Sequence, residues 1–404
     1  MAYNLSPEFY NFIDENCNND TVALRLKYHG RESSFNIDFA ILQIECRKKT
    51  KTKLKDFINN PEFLFPDTLA AEQSSHQAIA RYHAALSGKV TSLLDMTAGL
   101  GIDTLTLTSA ARKIVAIDLD CHRIEILKHN AKSKAMCDLD AICGDSIEYL
   151  KNTDNTFDII FVDPSRRDAR SNRLYNLRDC CPDIIENRNL IYSHAKRVLV
   201  KASPMLDIHQ TLIDLPDIIS IKAVGVKGEC KEILIDILPR RCENSPVEME
   251  AINLDSDGTI TSSFRISTSD PEMPLIYAKE SDILRGAYLL EPSAMVMKLS
   301  PWNAICHRFN AKKLGKSSHL FICRENPEGF PGRVTKIEKI LKKKDLHDLE
   351  GMEATVVSRN HPLSAAVLRK ELCLKEGEMN FIYATRSGDK PIFILSSKSS
   401  ESKT

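Results

Sequence analysis

Four short segments of the chain end an apolar run on an acidic residue. The first is Leu93-Leu94-Asp95-Met96-Thr97-Ala98-Gly99-Leu100-Gly101-Ile102-Asp103-Thr104, an acid followed by a glycine turn and the start of a helix. Glycines in such a turn let the backbone pass close to a ligand at the carboxyl end of a strand. The second, Val115-Ala116-Ile117-Asp118, comes one strand–helix–strand repeat later. An acid at that strand end suits a ribose diol, from which it accepts two hydrogen bonds. The third, Gly144-Asp145-Ser146, is one repeat further on, and its acid suits an adenine amino group. The fourth, Phe157-Asp158-Ile159-Ile160-Phe161-Val162-Asp163-Pro164, sets Asp163 at a strand mouth, where the reactive end of the ligand would lie. A carboxylate there orients an amine and accepts its proton as positive charge develops. The plainer alternative is that Asp163 only caps the following turn.

Basic side chains crowd the same region. Arg166, Arg167, Arg170, Arg173 and Arg178 follow Asp163 closely. Their planar, bidentate donors suit phosphate, and they are equally suited to pair with Asp168, Asp179 and Asp183. Lys201, in Val200-Lys201-Ala202-Ser203-Pro204, is either a substrate contact or a surface lysine at a strand end. Cys180-Cys181-Pro182 offers a nucleophile for carbon methylation, but a structural cysteine is the favoured reading. The 12 cysteines include no Cys-x-x-Cys pair, and none joins His at zinc-ligand spacing. Reduced thiols packed as small apolar side chains, with no metal, are therefore expected.

These segments need a frame to hold them. Short apolar runs at 92–94, 114–117, 159–162 and 197–200 alternate with helical stretches such as 121–133, the mark of a parallel sheet covered on both faces. Residues 218–226 and 232–238 are joined through Lys227-Gly228-Glu229-Cys230-Lys231 and predict an antiparallel hairpin. Residues 1–60 read as helical, with the basic run from Arg47 to Lys55 on a solvated helix face. One helix is expected from Leu69 to Leu86, ended by Gly88. Gln73, Ser74 and His76 open it, either closing over the ligand or capping the helix. Beyond Pro239 the pattern becomes α+β: a strand pair flanks Asp257-Gly258 and a helical stretch runs from Asp282 to Phe309. Strands follow near 320–322, 354–357, 381–383 and 391–394, with helices at 335–347 and 363–374.

Composition narrows the class. With 43% apolar and 27% charged residues the chain is globular rather than disordered. No apolar run is long enough to cross a bilayer, and Met1–Tyr10 lacks a secretory layout, so a cytoplasmic protein is expected. The net charge is zero, yet residues 301–404 hold 19 Lys/Arg against 12 Asp/Glu, a balance compatible with a polyanionic partner. A dinucleotide fingerprint would need a glycine where Thr104 stands and has no acid before its turn, which disfavours a nicotinamide oxidoreductase.

Taken in order, the four acidic elements resemble the class I S-adenosylmethionine-dependent methyltransferases over about residues 90–240. The wider chain is similar to a bacterial subgroup of that class, in which a helical segment precedes the enzyme domain and a THUMP-like domain follows it. Phe63-Leu64-Phe65-Pro66, Glu72-Gln73-Ser74-Ser75, Asp163-Pro164-Ser165-Arg166-Arg167, Gly228-Glu229-Cys230-Lys231-Glu232 and Leu290-Glu291-Pro292 carry this resemblance.

The resemblance implies a doubly wound Rossmann-like α/β sheet with a terminal antiparallel hairpin. It implies a helical segment at 1–70, the methyltransferase domain at 71–240, a ferredoxin-like α+β unit at 241–318, a THUMP-like α+β unit at 319–397 and a disordered tail at 398–404. S-adenosylmethionine is the implied cofactor. Asp95, Gly99 and Gly101 would hold its methionine part, Asp118 the ribose and Asp145 the adenine, with Thr97, Ala98, Leu119 and Ser146 also in the cofactor site. Gln73, Ser74 and His76 either close over the methionine carboxylate or cap their helix. Asp163 and Pro164 take the catalytic place, and Arg166, Arg167, Arg178 and Lys201 would meet the substrate.

True THUMP domains recognise RNA, so the implied partner is tRNA or rRNA and the implied target a base nitrogen. The catalytic tetrapeptide departs from the commoner acid-Pro-Pro-aromatic form, because Ser165-Arg166 replaces Pro-aromatic. A stacking platform would then come from Tyr175, Tyr192 or Arg166 itself. The alternatives are a methyltransferase for a protein or small metabolite, and an RNA-binding module without catalysis.

Overall fold

The computed structural model describes residues 4–132, 138–166, 176–241, 245–387 and 390–398. They form two compact units, Met1–Lys227 with Lys231–Ser245 and Asn253–Thr261, and Gly228–Cys230 with Pro246–Ile252 and Ser262–Thr404.

The first unit opens with three helices, α1 (Pro7–Glu15), α2 (Thr21–Tyr28) and α3 (Ile37–Thr50). Pro begins α1, and the side chains of Asp20 and Asn36 cap α2 and α3 by accepting from the amides of Ala23 and Phe39. Phe9, Ile13, Leu24, Phe39, Ile41 and Ile44 make their common core, which also takes in Leu64 and Ile126. The loop Phe63-Leu64-Phe65 is held like an extra strand by two buried amides. Gln43 bonds both the amide and carbonyl of Phe65 at 2.8 and 2.9 Å, and Asn130 does the same for Leu64 at 2.9 Å each. Arg47 is not on a solvated face as expected. It donates to the carbonyls of Ile58, Asn60, Pro61 and Phe63, tying down a loop that has no ladder of its own.

The expected helix at 69–86 is two helices, α4 (Thr68–Gln73) and α5 (Gln77–Ser87). Ser74 turns to extended backbone, and the His76 side chain restarts the helix by accepting from the Ala78 amide at 3.1 Å. Gly88 ends α5 with φ +67°. The sheet strands then alternate with short helices: β1 (Val90–Asp95), α6 (Ile102–Leu107), β2 (Ala111–Asp118), α7 (Cys121–Ala131), β3 (Asp138–Cys143), α8 (Ser146–Lys151), β4 (Phe157–Val162), α9 (Arg188–His194), β5 (Ala195–Ala202), α10 (Ile208–Asp214), β6 (Ile218–Val226) and β7 (Glu229–Ile237). Their order is β6-β7-β5-β4-β1-β2-β3. Neighbours from β5 through β4, β1 and β2 to β3 run parallel, while β7 runs antiparallel to β5. This is the doubly wound sheet with a terminal antiparallel hairpin. Strand order reverses between β1 and β4, and ligands bind at the carboxyl ends of such a switch point.

The hairpin β8 (Glu248–Leu254) and β9 (Ile260–Ser267) turns at Asp255, whose carboxylate accepts from the amides of Asp257, Gly258 and Thr259. The rest of the second unit is a mixed sheet built on residues 288–292, 312–313, 321–323, 332–341, 355–358, 380–387 and 390–398. Alternate residues of Asn380–Ser387 feed two cores: Phe381 and Tyr383 pack with Leu289, Ile322, Ile337 and Ile394, and Ile382 and Ala384 with Val356, Leu368 and Leu374.

Two sequence expectations fail in this unit. Residues 335–347 are not a helix, because Gly332–Leu341 is a strand paired on both sides and only Lys343–Leu349 coils, as a 3-10 helix. Thr335 and Ile337, β-branched and fully buried, prefer that setting. The stretch 282–309 likewise contains the strand Tyr288–Pro292 before its two short helices, Ala294–Leu299 and Trp302–Arg308. Among the described residues, no helix is long and apolar enough to cross a membrane.

Candidate functional site

A cleft of about 870 Å³ opens at the switch point of the first unit. Its floor is the turn after β1. Gly99 and Gly101 take φ +56° and +86°, which side chains with a Cβ rarely adopt. A Cβ on Gly101 would lie 2.4 Å from Leu127 Cδ1, so glycine is what lets α7 close against the loop. The Gly99 amide donates to Asp118 Oδ2 at 2.8 Å, and the Ala98 amide to the Ile117 carbonyl at 2.9 Å, fastening the turn to the end of β2.

Asp95 lies beneath the turn, 1% exposed. Its two oxygens accept from the Thr97 amide at 3.0 Å and the Thr104 hydroxyl at 2.5 Å. Thr104, the residue that breaks the dinucleotide fingerprint, is thus the partner of this acid. Burial pushes the Asp95 carboxyl up to about 7, against the pull of those two hydrogen bonds.

The nucleotide-side acids are held by backbone amides. Asp118 accepts from Gly99 and, through Oδ1, from the Asp120 amide at 2.9 Å. Asp145 caps α8, accepting from the amides of Ile147 and Glu148 at 2.7 and 3.1 Å, with Ser146 buried beside it. Leu119 lines the cleft and is nevertheless 66% exposed, an apolar face open to a ligand.

The reactive side is held by side chains. The Asp163 amide donates to Thr97 Oγ1 at 2.7 Å, joining β4 to the glycine turn. The Asp163 carboxylate pairs with the Lys201 ammonium, which also donates to Ser75 Oγ at 2.9 Å. Ser75 donates in turn to Asp103. Asp103 Oδ1 meets His83 Nδ1 at 2.8 Å, and His83 Nε2 meets Glu232 Oε1 at 2.6 Å.

Lys201 lines the cleft and is mostly buried, so it is not a surface lysine. Burial opposes its charge, but Asp163, Asp103 and Glu232 hold its pKa above the ordinary lysine value. Burial raises the Asp163 carboxyl while Lys201 opposes the rise, and the side chain stays 37% open to the cleft. Burial would neutralise His83, yet the two carboxylates carry it up to about 10, so it is cationic at neutral pH. Asp103 is brought down to about 2, burial being overcome by His83.

The remaining candidates fall as follows. Pro164 lines the cleft beside Asp163. The backbone of Ser165–Arg166 pairs with Cys180–Cys181 in a short antiparallel ladder. The Arg166 side chain, together with Arg167, Arg170, Arg173 and Tyr175, lies outside the described residues. Arg178 is exposed outside the cleft and pairs with Asp214 at 3.0 Å. Tyr192 does not line the cleft either. Gln73 and Ser74 do, whereas His76 spends Nδ1 on capping α5.

Cys180 is buried, and the exposed Cys181 lines the cleft. The expectation of reduced thiols throughout fails at one place. Cys121 and Cys143 form a disulfide across the start of α7 and the end of β3, Cα to Cα 4.9 Å, because β2–β3 pairing brings Cys143 opposite Asp118. Among the described residues no group of three or more His, Cys, Asp or Glu side chains is arranged to hold a metal. Lys53 is a further correction to the solvated basic face. It donates to the carbonyls of Ala71 and Glu72, and burial together with repulsion from Lys201 and Lys231 lowers it to about 8.

Sequence reasoning missed Ser75, Asp103, His83 and Glu232 as site residues. Ser75 and Glu232 stood inside segments that carried the resemblance and Asp103 inside the glycine segment, while His83 left no signal in an ordinary amphipathic helix.

Fold and cleft together define the class: the chain has the class I methyltransferase fold, extended by ferredoxin-like and THUMP-like units. Residues 288–331 match a ferredoxin-like domain family, and residues 330–398 match a THUMP domain-like family. The crystal structure of a "putative methyltransferase from Porphyromonas gingivalis W83" aligns over 97% of this chain and 98% of its own, with a TM-score of 0.82 and 24% identity. An uncharacterized RNA methyltransferase of Mycoplasma mobile is 25% identical over 36% of this chain and 40% of its own length. Ribosomal RNA small subunit methyltransferase J of Francisella philomiragia is 25% identical over 38% of this chain and 55% of its own. The chain thus spans about half the length of the curated relatives it matches, 40% and 55%.

Proposed function

We propose that this chain is a cytoplasmic S-adenosylmethionine-dependent methyltransferase that modifies a base nitrogen of structured RNA, tRNA or rRNA. The observation that carries this reading is the cleft at the switch point, with an acid at each of four strand ends and Asp163 facing into it.

The residues fit the cofactor. The cleft volume is in the range of sites for molecules of this size. The glycine turn is a cradle that a Cβ at Gly101 would disrupt. Each oxygen of Asp118 and Asp145 keeps acceptor capacity beyond its backbone amides. Asp95, Thr97, Ala98, Gly99 and Gly101 would hold the methionine part, Asp118 the ribose, and Leu119, Asp145 and Ser146 the adenine. When bound, the cofactor supplies an electrophilic methyl group on a sulfonium.

The chain's own work is alignment. The open face of Asp163 accepts a hydrogen bond from the acceptor nitrogen and aims its lone pair. As that nitrogen takes the methyl group it gains positive charge and acidity, and Asp163 receives the released proton. Lys201, paired with Asp163, favours its ionised form against the effect of burial. The Pro164 carbonyl is the second acceptor for an amine held in this way.

RNA as the acceptor is supported by the THUMP-like match, by the names of the two RNA methyltransferase relatives, and by the basic surplus beyond residue 300. Label transfer from methyl-tritiated S-adenosylmethionine tests it, using unmodified RNA from cells lacking the protein. The expected result is label in RNA that falls by about 100-fold or more with Asp163→Ala. Label in protein or small molecules instead would move the acceptor to those classes.

A further inference from the structure

One buried charge in the first unit has no part in the mechanism so far. His83, on α5, is fully buried, with both ring nitrogens on carboxylates. A buried imidazole is satisfied at lower cost as the neutral form with a carbonyl partner. Here α6 and β7 each bring an acid to it, and the Phe161 ring of β4, two residues before Asp163, packs 5.3 Å away. Replacing such a buried charged set by apolar residues would cost the fold little, so its value lies in what it orients.

The chain of contacts runs Glu232, His83, Asp103, Ser75, Lys201, Asp163, and the charged members alternate in sign. Asp103 and Asp163 compete for the one ammonium between them. Cationic His83 neutralises Asp103 and leaves Lys201 to Asp163. A neutral side chain at position 83 would remove the cation facing Asp103, which would then draw Lys201 the other way. The other titratable groups felt along the chain are Asp95 on β1, which senses Asp103 and Asp163, and Lys53, which senses Lys201 and Lys231.

We infer that His83 is a positioning residue for methyl transfer, acting through Asp103 and Ser75 to hold the Lys201 ammonium on Asp163 and so fix the direction and charge of the acceptor carboxylate. The inference rests on the reading of Asp163 given above.

The test uses the full chain with aspartate labelled at its carboxyl carbon, the Asp163 resonance being assigned by its loss in Asp163→Asn. His83→Gln removes the cation, and Ser75→Ala cuts the link between Lys201 and Asp103 without touching the buried imidazole. In both, the Asp163 titration midpoint rises by about one pH unit. The rate of label transfer falls about tenfold with its acid limb moved to higher pH, while S-adenosylmethionine affinity and RNA KM stay within about threefold. Ser75→Ala guards against a His83→Gln chain that does not fold. An unmoved Asp163 midpoint in folded Ser75→Ala, with transfer intact, overturns the inference alone. A midpoint that moves while the wild-type chain labels no RNA overturns the methyl-transfer reading and the catalytic half of this inference with it.

Discussion

The two ends of the cleft are built on different principles. At the nucleotide end, Asp118 and Asp145 are held by amides two or three residues away, with one longer tie from Asp118 to Gly99. At the reactive end, Asp163 is held by Lys201, and Lys201 by a line of side chains drawn from the break before α5, α5 itself, α6 and β7. The first end needs only local turns. The second exists only once the sheet has closed, and its charges stay buried and coupled. A generic cofactor can be bound by the first kind of construction, whereas aiming one carboxylate at one acceptor atom calls for the second.

The comparison can be broken most forcefully where the ends meet. Gly101→Val places a branched side chain at positive φ and against Leu127. The expected cost is about 2–4 kcal/mol of stability together with loss of cofactor binding, read by denaturant unfolding and calorimetry. Stability unchanged from wild type would mean that the turn is not held as described.

A second prediction concerns Asp95, which has its folded pKa raised from 3.8 to about 7. If the cofactor's cationic methionine end sits over it, binding favours the ionised form. Below pH 7 the free protein must then release a proton to bind. Affinity should fall by up to about tenfold per pH unit from 7 downward and be flat in Asp95→Asn. A pH-independent affinity in the wild type would remove Asp95 from the cofactor site.

The smallest effect is expected outside both ends. Arg178 is exposed and paired with Asp214, so Arg178→Ala should change stability by at most about 1 kcal/mol and leave label transfer within about twofold of wild type. A large loss of transfer would return Arg178 to the substrate surface.

The same contrast sets what was legible in the sequence. Acid, glycine turn and helix occur in order along the chain, so Asp95, Gly99, Gly101, Asp118 and Asp145 could be found by reading forward, as could the alternating strands. Ser75, His83 and Glu232 could not, since the pair His83–Glu232 spans 149 positions and no local pattern marks either partner. The partners of Lys201 are not legible either, because a lysine at a strand end looks solvated until they are in place. Arg47 and Lys53 are hidden in the same way, as basic residues whose carbonyl partners lie 11 to 19 positions further along the chain. The helix expected at 335–347 gives way to the strand Gly332–Leu341 because two neighbouring strands pair with it, a long-range decision that the local sequence does not show. The Cys121–Cys143 disulfide depends on β2–β3 register, which spacing alone does not reveal.

The most direct test of the central claim is calorimetric titration of the full chain with S-adenosylmethionine, comparing wild type, Asp118→Ala and Asp163→Ala. The account predicts saturable one-to-one binding to the wild type, an affinity about 100-fold weaker in Asp118→Ala, and one within about threefold of wild type in Asp163→Ala. No binding to the wild type, or an equal loss in both variants, would contradict it.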